Sequence, residues 1–440
     1  MDSIGSLRMK KMNNKATSIR WRVLGILVFA SFVSYLLRSN ISLAAPVMIA
    51  DLGLTEIQWG WILAAFTTGY AIFQFPGGLL GDRFGPRRVL TIIAVLWGIM
   101  TIVTSLVPGQ ETASTGLIIV SLILVRFLVG VVQAPVFPVM NVSIMRWFPV
   151  GGWGFPTGLT STGLTLGVAA SAPVLAWMIT QYGWRLSFII LSPFGFLLAA
   201  LWWWYARDWP ADHPAISQVE IDLIRDKRSF EPDDEDASPA WWRVLKNRDV
   251  MLLTLSYCCM NYVFYSVFNW FFYYLVEIRH FSVQEAGFVT SSQWIAGAVG
   301  AALGGWVCDK LCKRLGLRWG CRWPVIVGMV ASAALLIVGA MHSSPYVAVA
   351  MLALCFFFNQ LSDAAYWASS IAIGGIHAGA AGGVLNTGGN IFGILNAILV
   401  PVIAHAFGWT FAIASGAIFA LIGAGLMLLV RADRPLDSAD

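Results

Sequence analysis

Apolar residues in this 440-residue chain occur in continuous blocks, without the strict alternation of a half-buried strand. The blocks are about 20 residues or longer and are separated by short charged connections, as in helices that cross a bilayer. We number the predicted spans 1 to 12 in chain order. They cover residues 22–50, 57–80, 89–108, 115–142, 153–180, 184–206, 249–277, 285–308, 323–342, 345–374, 379–406 and 408–431. The pattern therefore predicts an all-α polytopic membrane protein with twelve transmembrane helices.

The spans divide six and six around one long polar stretch, residues 207–248, which contains the segment EPDDEDASPA. We expect this stretch to be a cytoplasmic linker with a short amphipathic helix around Ile216 to Lys227. The predicted domains are a cytoplasmic N-tail (1–21), a first six-helix bundle (22–206), the linker (207–248), a second six-helix bundle (249–431) and a cytoplasmic C-tail (432–440).

The two halves repeat each other. GGLLGDRFGPRR at 77–88 has a degraded counterpart, GGWVCDKLCKRL, at 304–315. The matched residues at an offset of 227 are Gly77 with Gly304, Gly78 with Gly305, and Asp82 with Asp309. In spans 5 and 11 the pairs at an offset of 226 are Gly163 with Gly389 and Gly167 with Gly393. A nearly constant offset over separate motifs indicates duplication of a six-helix unit, so we expect two pseudo-symmetric bundles.

Composition and charge agree with this interpretation. The chain is 58% hydrophobic and 12% charged, against about 25% charged residues in soluble domains. A soluble enzyme, a nucleic-acid-binding protein and a disordered protein are therefore poor fits. Of the 28 Lys and Arg residues, 24 fall on one side of the predicted membrane. We call this the basic side; it comprises both tails, the linker and the 2–3, 4–5 and 8–9 connections. Positive charge marks the cytoplasmic side, which predicts cytoplasmic termini in a multi-pass protein of the inner (plasma) membrane.

No catalytic or metal-binding pattern stands out. The six cysteines lack the spacing of a disulfide framework and have no neighbouring His or Cys pairs of a metal site. There is no nucleophile–base pair and no phosphate-binding glycine loop. We therefore predict neither an enzyme, a cofactor nor a metal site.

The 2–3 connection resembles the signature of the major facilitator superfamily. The matching residues are Gly78, Asp82, Arg83, Gly85, Arg87 and Arg88, whereas Pro86 departs from the usual basic residue. Small residues allow close helix contact, and the carboxylate of Asp82 is suited to basic residues and to an exposed helix N-terminus. We predict that this motif, with Asp309 in the second half, is a conformational latch. The resemblance implies two six-helix bundles around a central cavity that work by alternating access.

Three charged residues lie deep inside spans: Arg38 in span 1, Arg126 in span 4 and Asp363 in span 10. Placing such a charge at the centre of a membrane helix costs about 2.5–3.5 kcal/mol of insertion free energy. A charged residue at this depth is therefore a candidate for a functional role. Two guanidinium groups in one cavity predict an anion site, because their planar donors bind carboxylate or phosphate bidentately.

The surrounding segments resemble a narrower group, the anion:cation symporter family, which includes bacterial sugar-acid permeases and animal sialic acid and vesicular glutamate carriers. The segments are SYLLRSNISLAAPVM (34–48), GYAIFQFPGG (69–78) and RFLVGVVQAPVFP (126–138). The resemblance implies a substrate cavity lined by Arg38, Arg126, Tyr35, Tyr70 and Asn386.

Two departures concern coupling. Proton-coupled sugar-acid members carry an acid immediately before the first Arg and another seven residues after the second; here these positions are Leu37 and Gln133. Gln133 remains a predicted substrate-binding side chain. A polar position of galactonate-type members is Leu164, which together with several aromatic residues indicates a less polar ligand. Asp363 is then the candidate for coupling or gating: it could carry a proton, pair with an arginine, or simply pack.

We expect a monomeric secondary transporter of a small organic anion, such as a carboxylate, sugar acid or aromatic acid, with a proton as the candidate co-substrate. Its partners would be that anion and the lipid bilayer. The alternatives are an exchanger or uniporter for phosphate, organophosphate or an exported metabolite, and an exporter of amphiphilic compounds. A non-transporting sensor is a poorer fit because no large soluble domain is appended.

Overall fold

The computed structural model describes residues 16–225, 242–281 and 283–436. Most of the predicted N-tail, the middle of the linker and the last four residues lie outside the described residues. The described residues form helices and connecting turns, with no strand among them. An all-α membrane protein is therefore confirmed.

The helices of the first half correspond closely to spans 1 to 6. They are Ile19–Leu52, Glu56–Phe84, Pro86–Ser105, Thr115–Gln133 with Val136–Trp147, and Gly154–Leu191 with Pro193–Tyr205. Those of the second half are Arg248–Tyr273, Val283–Met341, Pro345–Gly374, Ala378–Phe407, and Trp409–Ala414 with Gly416–Met427.

Two of these helices contain two crossings each. Val283–Met341 has 59 residues, or about 88 Å at 1.5 Å per residue, whereas the bilayer core is about 30 Å thick. It bends at Gly316, where φ is 79°, and Gly154–Leu191 bends at Gly183, where φ is 72°. Only glycine adopts such angles at little cost, so these bends separate span 8 from 9 and span 5 from 6.

Length and hydropathy alone identify eight apolar stretches in the described residues, of which Val289–Met341 and Pro345–Asn396 each hold two crossings. Spans 2 and 5 are absent from that set. Both contact the other half of the protein, span 2 against span 11 and span 5 against span 8, and both carry several glycine and polar residues. With them the count is twelve.

The described part of the linker is fixed to the first bundle. A helix at Gln218–Arg225 lies within the predicted 216–227. Glu220 is fully buried and its carboxylate accepts hydrogen bonds from the Ile19 and Arg20 N–H groups (3.1 and 3.2 Å), so it caps span 1. Desolvation beside Trp147 and Tyr205 lowers the pKa of His213, which keeps it neutral at pH 7.

Two carboxylates join the halves on the basic side. The oxygens of Asp82 each accept a 2.9 Å hydrogen bond from the N–H groups of Gly379 and Ala380, at the start of span 11. Asp309 does the same for Gly154 and Phe155 at the start of span 5 (2.7 and 3.1 Å). Each carboxylate therefore satisfies helix N-terminal donors that have no partner within their own helix.

Glycine permits these contacts. A side chain at Gly78 would meet the Gly379 carbonyl, and one at Gly305 would meet the Gly154 carbonyl. Larger residues would separate the helices and break the Asp82 and Asp309 hydrogen bonds.

The basic residues of the 2–3 motif act within the first bundle. Asp208, at the end of span 6, accepts a 2.8 Å hydrogen bond from the Arg87 N–H and lies 3.9 Å from Arg146. The Arg87 guanidinium donates to the Trp203 carbonyl, while Arg83 and Arg88 are exposed. Among these residues of the 2–3 motif, Asp82 is the one whose described side-chain hydrogen bonds reach the other half.

Further hydrogen bonds between the halves lie at mid-membrane and towards the basic side. They include Asn141 with Ser370 (3.0 Å), and Thr162 with the Ala298 carbonyl (3.1 Å). On the opposite side Asp51 bonds Trp184 of its own bundle (2.9 Å). The structure is therefore closed on the basic side.

Replacing Asp82 by Asn should open the basic side more often, because a neutral amide cannot accept from both N–H groups and lacks the charge that favours a helix N-terminus. Each hydrogen bond to a charged group stabilises the closed state by about 1.5–3 kcal/mol. The Asn variant would retain part of this stabilisation. We expect roughly a tenfold faster reaction of Thr157→Cys, a buried position near the latch, with a water-soluble thiol reagent.

Asp309→Asn should act in the same direction. Asp51→Asn, which alters a carboxylate on the opposite side, is the matched control and should leave the labelling rate unchanged. Equal rates in all three variants and the parent would contradict the latch.

Candidate substrate-binding site

A cavity lies between the halves at mid-membrane. Its first-half wall comes from spans 1, 2, 4 and 5, and its second-half wall from spans 7, 10 and 11. The charged side chains among its lining residues are Arg38 and Asp363, one on each wall. Of the other predicted site residues, Tyr35, Tyr70 and Asn386 also line it.

Arg38 is surrounded by aromatic rings. Its guanidinium carbon lies 5.0, 4.8 and 4.9 Å from the ring centroids of Tyr35, Phe66 and Tyr70. It donates a 3.1 Å hydrogen bond to the Tyr35 hydroxyl, one helical turn before it in span 1. No carboxylate pairs with it among the described residues, so part of its hydrogen-bonding capacity is open to the cavity.

Arg126 is held deeper than Arg38. It is 4% exposed, and its guanidinium carbon lies 4.7 Å from the centroid of the same Phe66 ring. Its buried Nε has no hydrogen-bond partner among the described residues. The predicted pair of arginines is therefore brought together around one phenyl ring, with Arg38 lining the cavity and Arg126 behind it.

The second-half wall offers neutral polar groups. Tyr265 donates a 2.9 Å hydrogen bond to Asn390, and Asn390 donates a 2.8 Å hydrogen bond to the Asn386 carbonyl. The Asn386 amide in turn donates to Gln74 of span 2 (3.0 Å), across the boundary between the halves. This chain of amides and hydroxyls lies beside Arg38 and can bind oxygen atoms of a substrate.

Asp363 faces the first bundle. Its carboxylate accepts a 2.6 Å hydrogen bond from Ser161 of span 5 and a longer one, 3.4 Å, from Tyr257 of span 7. It makes no ion pair with Arg38 or Arg126 within the described part of the chain. The Asp363 carboxylate thus connects the halves through the Ser161 hydroxyl.

Aromatic rings close the cavity towards the basic side. Phe137 and Trp367, with centroids 6.3 Å apart, line both this cavity and a smaller one nearer the basic side. Ser161 also lines both. This layer, made from both bundles, separates the cavity from the latch region.

Gln133 lies outside the cavity. Its amide donates to the Ser34 carbonyl (2.9 Å) and hydroxyl (3.1 Å), and the side chain is buried between spans 4 and 1. Leu37, the other position without an acid, packs in the apolar core. Leu37 and Gln133 therefore contribute to packing between helices, and neither side chain can exchange a proton.

Sequence reasoning missed Phe66, Gln74, Ser161 and Asn390. Gln74 and Asn390 are polar residues inside predicted spans, a signal that could have found them. Ser161 and Phe66 are ordinary in a membrane helix, and only three-dimensional contacts with Asp363 and the arginines distinguish them.

Comparison with known proteins agrees with this architecture. The chain is 30% identical over 381 residues to the probable sulfoacetate transporter of Cupriavidus necator, covering 86% of each protein. It is 29% identical over 403 residues to the probable galactarate/D-glucarate transporter of Bacillus subtilis, covering 90% of this chain and 88% of the relative.

Among solved structures, a variant of the Escherichia coli fucose:proton symporter superposes with a TM-score of 0.70 at 15% identity, over 93% of this chain and 98% of the other, which supports the fold. The family model that matches is that of the Major Facilitator Superfamily, over residues 27–317. With twelve crossings in two repeated halves around a central cavity, the chain belongs to the Major Facilitator Superfamily and is a membrane transporter.

Proposed function

We propose that the protein is a secondary transporter that moves a small organic anion across the cytoplasmic membrane by alternating access, with Arg38 as its principal anion-binding residue. The observation that carries the proposal is the position of Arg38. It lines the cavity, has no carboxylate partner in the part of the chain that the structure describes, and is positioned by Tyr35, Phe66 and Tyr70. Arg126 adds positive charge behind the Phe66 ring.

The substrate we infer carries one carboxylate or sulfonate and a moderately polar body. The two relatives are described as transporters of sulfoacetate and of galactarate/D-glucarate, all of which are organic acids. The anionic group would lie against Arg38 and Tyr70, and its other oxygens against Asn386 and Asn390. Leu164, Phe264 and Phe137 also line the cavity, which favours a less polar body than that of a sugar diacid.

We assign the basic side to the cytoplasm, because 24 of the 28 Lys and Arg residues are there and positive charge favours that side. The domain boundaries stay as predicted from the sequence. With this orientation the described conformation is outward-facing: Asp82, Asp309 and the Phe137–Trp367 layer close the path to the cytoplasm.

Asp363 is the candidate proton carrier. Moving one charge across the membrane is worth about 2.3 kcal/mol per 100 mV, so an anion entering an inside-negative cell alone moves uphill. One proton per monoanion would remove this cost. The Asp363 carboxylate accepts its 2.6 Å bond from the opposite bundle, so its protonation would alter a contact between the halves, as coupling requires.

The alternatives have less support. For phosphate or an organophosphate as the substrate, the two relatives give no support, because they are described as transporters of sulfoacetate and of galactarate/D-glucarate. An exporter of cationic amphiphiles is disfavoured because the Arg38 guanidinium in the cavity would repel a cationic substrate.

Arg38→Ala should reduce organic-anion binding by at least about 30-fold, because losing one partner of a buried charge pair costs roughly 2–5 kcal/mol. Arg38→Lys should recover only part, since an ammonium lacks the planar donor fork. Binding is measured by thermal shift with a panel of carboxylates and sulfonates, and flux by counterflow in proteoliposomes. Arg185→Ala, in a residue that bonds the Ser105 and Val107 carbonyls on the opposite side, is the control. Normal binding by Arg38→Ala would exclude the proposed site.

Asp363→Asn should leave anion exchange between the two faces intact while removing the response of net uptake to a pH gradient. The amide cannot exchange a proton but retains a hydrogen-bonding contact with Ser161. Proteoliposomes with pH gradient and membrane potential set separately provide the measurement. A pH-driven flux that persists in this variant would rule out Asp363 as the proton carrier.

Gln133→Leu should lower thermal stability with little change in anion affinity, because it removes hydrogen bonds between spans 4 and 1 away from the cavity. The expected loss is about 1–3 kcal/mol for the unsatisfied buried groups. Asn390→Leu, in the cavity wall, is the contrasting variant and should weaken binding. A large loss of affinity in Gln133→Leu would return it to the set of substrate-binding residues predicted from the sequence.

A further inference from the structure

Three cysteines that are apart in sequence come together at the basic end of spans 8 and 9. Cys308 and Cys312 lie one helical turn apart, and the bend at Gly316 returns the chain so that Cys321 faces them. The sulfur of Cys312 is 4.0 Å from that of Cys308 and 3.7 Å from that of Cys321, and all three lie within 4.8 Å of one another. The sequence prediction of no metal-site pattern considered spacing along the chain and missed this juxtaposition.

The sulfur triangle has the dimensions of a metal site. With a metal–sulfur distance of about 2.3 Å, three sulfurs in a trigonal plane lie about 4.0 Å apart. The separations of 4.0 and 3.7 Å match this value. A disulfide needs about 2.05 Å, and the thiols are free. The third separation, between Cys308 and Cys321, lies within 4.8 Å, so small side-chain adjustments would let one ion bind all three sulfurs.

The surroundings favour a soft monovalent ion. Cys308 and Cys321 are fully buried and Cys312 is 8% exposed, so water is largely excluded while Cys312 gives access. The nearest carboxylate in sequence, Asp309, already uses both oxygens on Gly154 and Phe155. Structural zinc requires a fourth ligand, whereas thiolates select Cu(I), which accepts three ligands.

The local charge is also suitable. Three thiolates with one Cu⁺ have a net charge of −2, which buried apolar surroundings alone would disfavour. The cluster lies in a strongly basic segment, 308–322, whose cations are Lys310, Lys313, Arg314, Arg318 and Arg322.

We propose that Cys308, Cys312 and Cys321 form a three-coordinate thiolate site for Cu(I), separate from the substrate cavity. On binding, three S–H bonds break and three S–Cu bonds form, the protons pass to solvent, and no electron is transferred. The bound ion would fasten span 8 to span 9 beside Asp309, and Cys312 would lie against Gly151 of the 4–5 connection.

The test uses the full-length protein in detergent, reduced and metal-free, titrated with Cu(I) against a competing chelator. We expect one copper per chain, and X-ray absorption should count three sulfur ligands. Cys308→Ser, Cys312→Ser and Cys321→Ser should each weaken binding by about 100-fold or more. Cys355→Ser and Cys258→Ser, in buried cysteines elsewhere, are matched controls and should bind like the parent.

Each variant must elute as a monodisperse species and catalyse counterflow like the parent in the absence of copper. If a serine variant fails this requirement, the alanine variant at the same position replaces it. Equal copper binding by the parent and a triple variant of the three positions would overturn the proposal. A coordination shell with two sulfurs, or an equal loss in Cys355→Ser, would overturn it as well.

Discussion

A guanidinium removed from water has to be compensated, and here the compensation comes from the faces of aromatic rings. Arg38 has three rings within about 5 Å and Arg126 shares one of them, Phe66. A desolvated cation–π contact is worth about 2 kcal/mol, whereas burial of an ion in protein costs several kcal/mol even after relaxation. The rings therefore reduce the cost without removing it. In the proposed function an anion between the halves would supply the missing part, so the cavity would favour negative charge.

The two halves contribute different chemical groups to the cavity and its surroundings. Spans 1 and 4 supply the cations, while spans 7, 10 and 11 supply amides, hydroxyls and the carboxylate of Asp363. An anion bound to Arg38 as proposed would also lie within reach of the polar groups of the second half. Because Asp363 and Asn386 already reach across the boundary to Ser161 and Gln74, substrate and proton would act on the same surfaces that separate when the transporter opens.

The sequence was informative wherever a residue's role depends on its type and its place along the chain. Blocks of apolar residues located the twelve crossings, and the repeat placed Asp82 and Asp309 at equivalent corners. It was uninformative about rotation around a helix axis, where one residue turns a side chain by about 100°. This rotation places Gln133 against Ser34, sets Arg126 behind Phe66, and keeps Leu37 in the core. Cys321 needed a third kind of information, the positive φ of Gly316, because a bend decides which distant residues meet.

The two predicted latches, at Asp82 and Asp309, show why an internal repeat does not give two equal functions. Asp82 and Asp309 contact helix N-termini with the same two hydrogen bonds each, so closure of the basic side is symmetric in its chemistry. The supports behind them differ. Near Asp82, the Asp208 carboxylate accepts a hydrogen bond from the Arg87 N–H and so joins the 2–3 connection to the end of span 6. This contact does not depend on a bound metal. Behind Asp309, the corresponding corner contains three thiols and a bend. Thiols change with metal supply, whereas an arginine–aspartate contact does not. If copper binds these thiols, the stability of the Asp309 contact depends on the copper supply of the cell. The Asp82 contact would then determine how firmly the basic side closes when copper is absent.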